Sequence, residues 1–118
     1  MSALEAKRVI ARNFPWNVCY DVSSFTSQMH EDSVWNQPEY QLLEKALLQL
    51  TLEATASDEL IWRIFRIFSY CFASFGSHLD PRDSFQIEGI SPDEFYDLRE
   101  RFQNVFEGYF SRNMQSSN

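Results

Sequence analysis

The chain has 118 residues, of which 44% are hydrophobic and 16% aromatic, and its net charge is −7. This length supports one domain with a hydrophobic core and is too short for two, and the apolar content argues against disorder. Acidic residues outnumber basic ones by 17 to 10. Nucleic acid and anionic membranes are therefore disfavoured as partners, because clustered Lys and Arg bind both.

The first half of the chain predicts two helices separated by an irregular segment. Apolar residues at helical spacing indicate a helix over 3–13, and Pro15 ends it because proline cannot continue the hydrogen-bond ladder. Residues 16–37 have no clear period. Within them, the alternating apolar residues of 18–22 could form a short strand with 84–87, a pairing we leave open. Pro38 suits the first turn of a second helix. Its apolar stripe has spacings of three and four and consists of Tyr40, Leu43, Leu47, Leu50 and Ala54.

The most apolar helix is predicted over 57–75. Ser57 is a typical N-cap residue, and Gly76 is the expected C-terminal stop. Apolar residues cover most of the circumference of this helix, which favours a central position in a bundle. Trp62 is accordingly expected in the core.

The last helix, over 91–112, has the clearest start. Ser91 and Glu94 form a capping box, with Pro92 at the first helical position. The polar residues 113–118 are expected to be a frayed tail. Few glycines and prolines, together with these periodic segments, predict an all-α compact helical bundle that forms a single domain over 1–118.

No pattern in the sequence indicates an enzyme, a metal site or a cofactor. His30 and His78 belong to no HExxH-type spacing, and neither a phosphate-binding glycine loop nor a GxSxG motif is present. Cys19 and Cys71 form no CxxC pair, so no disulfide or thiolate metal site is predicted. The N-terminus lacks the apolar core of a signal peptide, and no apolar run is long enough to span a membrane, which favours a cytoplasmic protein.

Charge and aromatic residues supply the candidate binding residues. Eight acidic and three basic residues lie between Asp80 and Glu107, so most of the negative charge falls in the last third of the chain. A basic protein surface would complement it. The candidate partner-binding residues from this segment are Asp80, Asp83 and Glu88 in the predicted loop and Asp97 in the last helix. From the irregular segment we add Trp16 and Trp35.

Two further features have alternative interpretations. Each of the two candidate tryptophans, Trp16 and Trp35, could anchor an interface, although packing in or beside the core is preferred. Arg63 and Arg66 lie one turn apart on the polar side of the apolar helix. They are expected to reach solvent or to pair with acids such as Glu59, and the alternative is a site for an anion or a partner.

Two segments of the second half resemble a known family. The run IWRIFRIFSY at 61–70 and the run YDLRERFQ at 96–103, continued by VFEGYF at 105–110, are similar to segments of bacterial immunity proteins of contact-dependent growth inhibition and other polymorphic toxin systems. The resemblance implies a small cytoplasmic protein without catalytic activity that neutralises a cognate toxin domain. Many such toxins are nucleases with basic clefts, which an acidic immunity protein would complement.

The sequence therefore predicts an immunity protein that binds and inhibits a toxin, with a basic nuclease as the favoured partner and a monomer as the favoured state. The alternative is a regulatory adaptor or protein-binding domain unrelated to toxins. An enzyme whose catalytic residues meet only in the fold is the least favoured interpretation.

Overall fold

The computed structural model describes residues 1–53 and 56–114, which form an all-α bundle of five helices. They are α1 (Ala3–Asn13), α2 (Phe25–Asp32), α3 (Gln37–Leu52), α4 (Asp58–Leu79) and α5 (Pro92–Met114). α3 lies between α1 and α5, and α4 packs against α2 with smaller contacts to α1 and α5. The all-α prediction is confirmed.

Each helix begins at a side chain that caps it. At every start, the side-chain oxygen of the N-cap residue accepts a hydrogen bond from the backbone N–H three residues later, at 3.1–3.2 Å. The five caps are Ser2, Ser24, Asn36, Ser57 and Ser91. At α5 the carboxylate of Glu94 also accepts from the N–H of Ser91 at 3.2 Å. The predicted capping box is therefore present, and it fixes where the loop after α4 becomes helix.

Aromatic rings from four helices make up the centre of the core. Phe102 of α5 is fully buried, and its ring lies 5.1 Å from that of Phe75 in α4 and 6.3 Å from that of Tyr40 in α3. Phe25 of α2 completes the cluster at 6.4 Å. The predicted stripe of α3 is buried at Tyr40, Leu43, Leu47 and Leu50, whereas Ala54 lies outside the described residues.

The sequence did not predict α2. This helix has eight residues and few large apolar side chains, and two of its buried residues, Thr26 and Ser27, are polar. Asn13 at the end of α1 satisfies Thr26, because its Oδ1 accepts from both the N–H and the hydroxyl of Thr26 at 3.0 Å, and the N–H of Ser27 donates to Ser24 Oγ at 3.2 Å. A helix held by such a polar contact between distant residues gives no hydrophobic period in the sequence.

The strand pairing that was left open between 18–22 and 84–87 does not form. Val18 and Val22 lie in turns and are exposed to solvent. The loop between α4 and α5 instead contacts the segment that follows α2. The backbone N–H of Glu88 donates to the carbonyl oxygen of Ser33 at 2.7 Å, and the backbone N–H of Trp35 donates to the carbonyl oxygen of Glu88 at 2.9 Å. These bonds form an isolated parallel bridge and hold the acidic loop against the bundle.

The structure corrects the predicted end of α4 and the predicted burial of Trp62. The helix continues through Gly76 to Leu79, because its backbone needs no left-handed residue at Gly76. Ile64 and Ile67 enter the core, but Trp62 is 55% exposed, so the prediction that it is a core residue was wrong. α4 packs against α1, α2 and α5, as expected of a central helix, and the part of its surface that carries Trp62 and Phe65 is exposed. α5 runs to Met114, and the rest of the predicted tail, 115–118, lies outside the described residues.

Candidate protein-binding surfaces

The nearest approach to a catalytic arrangement is a serine–histidine contact between α4 and α2. His30 Nδ1 lies 3.4 Å from Ser74 Oγ, in a groove that Tyr70 also lines. Ser74 is almost fully buried in the middle of α4. The backbone N–H groups around it are used by the helix, so none is free to stabilise an oxyanion. This geometry does not support acyl transfer.

Within the described part of the chain, side chains that could bind a metal do not converge on one site, and the two thiols lie in different environments. Among residues 1–53 and 56–114, no group of three or more His, Cys, Asp or Glu side chains is arranged to hold a metal ion. Cys71 is fully buried, and desolvation raises the pKa of its thiol to about 12, which keeps it protonated at neutral pH. Cys71 therefore packs as a small core residue, as expected. Cys19 is exposed and has a free thiol.

Asp80 has a local structural role. As the C-cap of α4 it accepts hydrogen bonds from the N–H of Arg82 at 2.9 Å and from the Arg82 guanidinium at 3.2 Å. These bonds, the backbone one first, hold the pKa of the carboxyl below its usual range. The charge of Asp80 is thus partly offset within its own loop, which weakens its candidacy for binding a partner.

The remaining predicted acids are Asp83 and Glu88 in the loop after α4 and Asp97 in α5, and we refer to these three residues together as the acidic surface. All three side chains are exposed and none forms an ion pair with a described residue. Asp83 Oδ1 accepts a hydrogen bond from the N–H of Phe85 at 2.9 Å, an interaction that shapes the loop and leaves the charge in place. The acidic surface can therefore exert a field on an approaching partner.

A second surface, which the sequence did not predict, lies on the open face of α4. Trp62 and Phe65 are 55% and 42% exposed, with their ring centroids 6.0 Å apart. With Ile61 and Asp58 they line a shallow cavity of about 350 Å³. Large contiguous apolar patches are uncommon on monomeric proteins, and adjoining exposed aromatic rings that line a cavity are a candidate for an interaction site.

Arg66 extends this surface towards the segment after α1. Its guanidinium carbon lies 4.3 Å from the ring centroid of Trp16 and 5.6 Å from that of Trp62. Trp16 is itself 56% exposed and contacts Tyr70 at a centroid distance of 5.7 Å. We call these residues the α4 outer face: Trp16, Trp62, Phe65, Arg66 and Tyr70. Arg63, one turn earlier, pairs with Glu59 at 2.7 Å as expected.

The α4 outer face continues into the groove beside α2. Tyr70 lines that groove, of about 310 Å³, together with Ser77 and Asp83. Burial raises the pKa of the Tyr70 hydroxyl to about 12, so it remains a neutral donor. From Trp62 to Ser77 the helix rises about 22 Å at 1.5 Å per residue. One continuous strip therefore joins two of the predicted residues, Trp16 and Asp83.

The predicted tryptophans have different environments. Trp35 is 4% exposed, and its ring packs against those of Phe25 at 4.9 Å and Tyr40 at 5.3 Å. Its indole N–H donates to Gln37 at 2.8 Å. Trp35 is therefore a core residue and not an interface anchor, because its surface is already covered. Only Trp16 stays available. The excess of aromatic residues around α4 was the signal that could have revealed the outer face.

Comparison with protein-family models, curated proteins and solved structures finds no match for this chain. No described helix combines the length and apolar content required for crossing a membrane.

Proposed function

We propose that this protein is a non-enzymatic immunity protein that neutralises a bacterial toxin domain by binding it through the α4 outer face. The observation that carries the proposal is the exposure of Trp62 and Phe65 beside Arg66. Tryptophan, tyrosine and arginine dominate the energetics of protein interfaces because they combine large apolar area with a polar group. The sequence resemblance supplies the class of partner, a toxin domain.

The acidic surface supports a basic partner such as a nuclease. Asp83, Glu88 and Asp97 are unpaired within the described chain, so their charges are available for long-range attraction. Such attraction accelerates encounter and favours partners of opposite charge. In this proposal the acidic surface steers the toxin and the α4 outer face supplies most of the contact energy.

The test uses the toxin domain encoded directly before this gene, co-expressed with variants of this protein. The double substitution Trp62→Ala and Phe65→Ala should weaken binding about 30-fold or more, because truncation of a single hot spot costs about 2 kcal/mol and this variant removes two candidates. Growth protection should fall in parallel. The matched control is Leu48→Ala with Leu52→Ala, which removes exposed apolar side chains from α3 instead.

Two results would contradict the proposal in different ways. If both double variants bind and protect like the wild type, the α4 outer face is not the contact surface. If the wild type itself neither binds nor protects, the immunity role is refuted and the adaptor alternative, which involves no toxin, takes its place. Circular dichroism of each variant separates loss of binding from loss of folding.

A further inference from the structure

The guanidinium of Arg66 is held in place but is not used by the protein itself. Its carbon lies against two indole rings, at 4.3 Å from Trp16 and 5.6 Å from Trp62. Among the described residues it forms no ion pair and no hydrogen bond. Nearby Arg63, by contrast, forms an ion pair with Glu59, so the two arginines differ in whether their charge is already paired. Arg66 keeps five N–H donors without an acceptor.

We propose that Arg66 binds a carboxylate of the partner protein, and that an apolar side chain next to this carboxylate packs on Trp62 and Phe65. The proposal rests on the proposed function and names the chemistry that its surface selects. Contact with the Trp16 ring at 4.3 Å restricts the motion of the guanidinium, so less entropy is lost when it forms a bidentate bond with a carboxylate. The cavity of about 350 Å³ lined by Asp58, Ile61, Trp62 and Phe65 shares Trp62 with the Arg66 contact, and its three apolar side chains accept the apolar neighbour.

A phosphate of single-stranded nucleic acid would satisfy the same arginine, with bases stacked on the tryptophans. The charge distribution disfavours this occupant. Phosphate backbones are bound by several cations in a row, and the chain carries a net charge of −7. Among the five described residues that define the α4 outer face Arg66 is the only cation, the nearby Arg63 is already paired with Glu59, and Asp83 lies at the far end of the strip. A protein carboxylate is therefore the better match.

The experiment measures the affinity of the purified toxin domain for four forms of this protein by calorimetry. They are the wild type, Arg66→Gln, Arg66→Lys and the control Arg8→Gln, which removes an exposed positive charge from α1. Arg66→Gln should weaken binding at least about 30-fold, as loss of one partner of a buried charged bond does. Arg66→Lys should weaken it about tenfold, because lysine cannot form the bidentate contact. Arg8→Gln should have little effect.

A double-mutant cycle then identifies the carboxylate. Each exposed Asp or Glu of the toxin is changed to its amide, and one of these changes should weaken binding to the wild type but not to Arg66→Gln. The inference is overturned if Arg66→Gln binds like Arg8→Gln, if Arg66→Lys binds like the wild type, or if no toxin carboxylate is coupled to Arg66. It is also overturned if a ten-nucleotide single-stranded RNA binds the wild type and not Arg66→Gln. Failure of the wild type to bind the toxin would instead refute the proposed function, and this inference with it.

Discussion

Two phenylalanines on neighbouring helices should differ sharply in their contribution to stability. Phe102 in α5 is fully buried, and six aromatic rings have centroids within 6.4 Å of its own: Phe25, Tyr40, Phe68, Phe72, Phe75 and Phe106. Phe102→Ala should reduce the free energy of unfolding by about 3–5 kcal/mol, since it removes a whole ring and leaves a cavity. That is a large part of the roughly 5–15 kcal/mol typical of a domain.

Phe65 in α4 provides the comparison. It is 42% exposed, and the ring of Phe110 at 6.3 Å is its inward aromatic contact. Solvent can fill the space left by Phe65→Ala, so no closed cavity forms and the expected loss is about 1 kcal/mol. Urea denaturation followed by far-ultraviolet circular dichroism gives both values. The milder Phe102→Leu, expected to cost roughly 1–2 kcal/mol, keeps the comparison measurable if Phe102→Ala does not fold.

The placement of α4 would be refuted by equal losses at the two positions. A loss of about 3 kcal/mol or more at Phe65 would mean that its ring is covered in the folded protein, and the α4 outer face would then not exist as a free surface. A loss below about 1 kcal/mol at Phe102 would mean that the aromatic cluster does not carry the core.

Two further outcomes are expected. Changing Asp83, Glu88 and Asp97 together to their amides keeps the side-chain acceptors but removes three charges, so association with a basic partner should slow by about three- to tenfold at low ionic strength and less at physiological salt. In stopped-flow measurements, the same change at three acids elsewhere should have a smaller effect; the controls are Glu5, Glu53 and Glu107. His78 Nδ1 accepts a hydrogen bond from the N–H of Ile87 at 2.9 Å, and burial lowers the pKa of His78. Because the unfolded chain then binds a proton at a higher pH than the folded protein, the free energy of unfolding should fall as pH decreases below about 6.5. Thermal unfolding at several pH values checks this, and a pH-independent melting temperature between pH 5 and 7 would contradict it.

Local signals in the sequence were sufficient for the helices that carry them. The capping box at Ser91 and Glu94 and the proline at position 92 define the start of α5 without reference to the rest of the fold. The apolar stripe of α3 was predicted from its local spacing in the same way. Tyr40, Leu43 and Leu47 are all buried, which confirms it. In both helices the determinant lies within about one or two turns of chain.

What could not be predicted depends on contacts between distant residues. α2 is stabilised by the Asn13 side chain, 13 positions before Thr26, and no local pattern records that bond. Glu44 is another example. It is nearly buried because Arg101, 57 positions away, binds it at 2.8 Å, which makes it a structural acid in a stretch that looks like ordinary helix surface. The α4 outer face was missed because hydrophobic periodicity reports which residues are apolar and not which of them the fold covers.

The α4 outer face and the acidic surface have opposite effects on the solubility of this protein. An exposed pair such as Trp62 and Phe65 promotes self-association. Replacing the two rings by polar side chains would reduce the free energy of unfolding only slightly, because the rings are only partly buried. A net charge of −7 opposes self-association by repulsion between copies, and the unpaired acids Asp83, Glu88 and Asp97 contribute to it whatever the partner is. Net charge of either sign would therefore favour the solubility of a protein that keeps an aromatic contact face in water. For this reason the charge alone does not identify a basic partner. The guanidinium of Arg66 has no such general role, so Arg66→Gln is a sharper test of the proposed contact than a change of net charge.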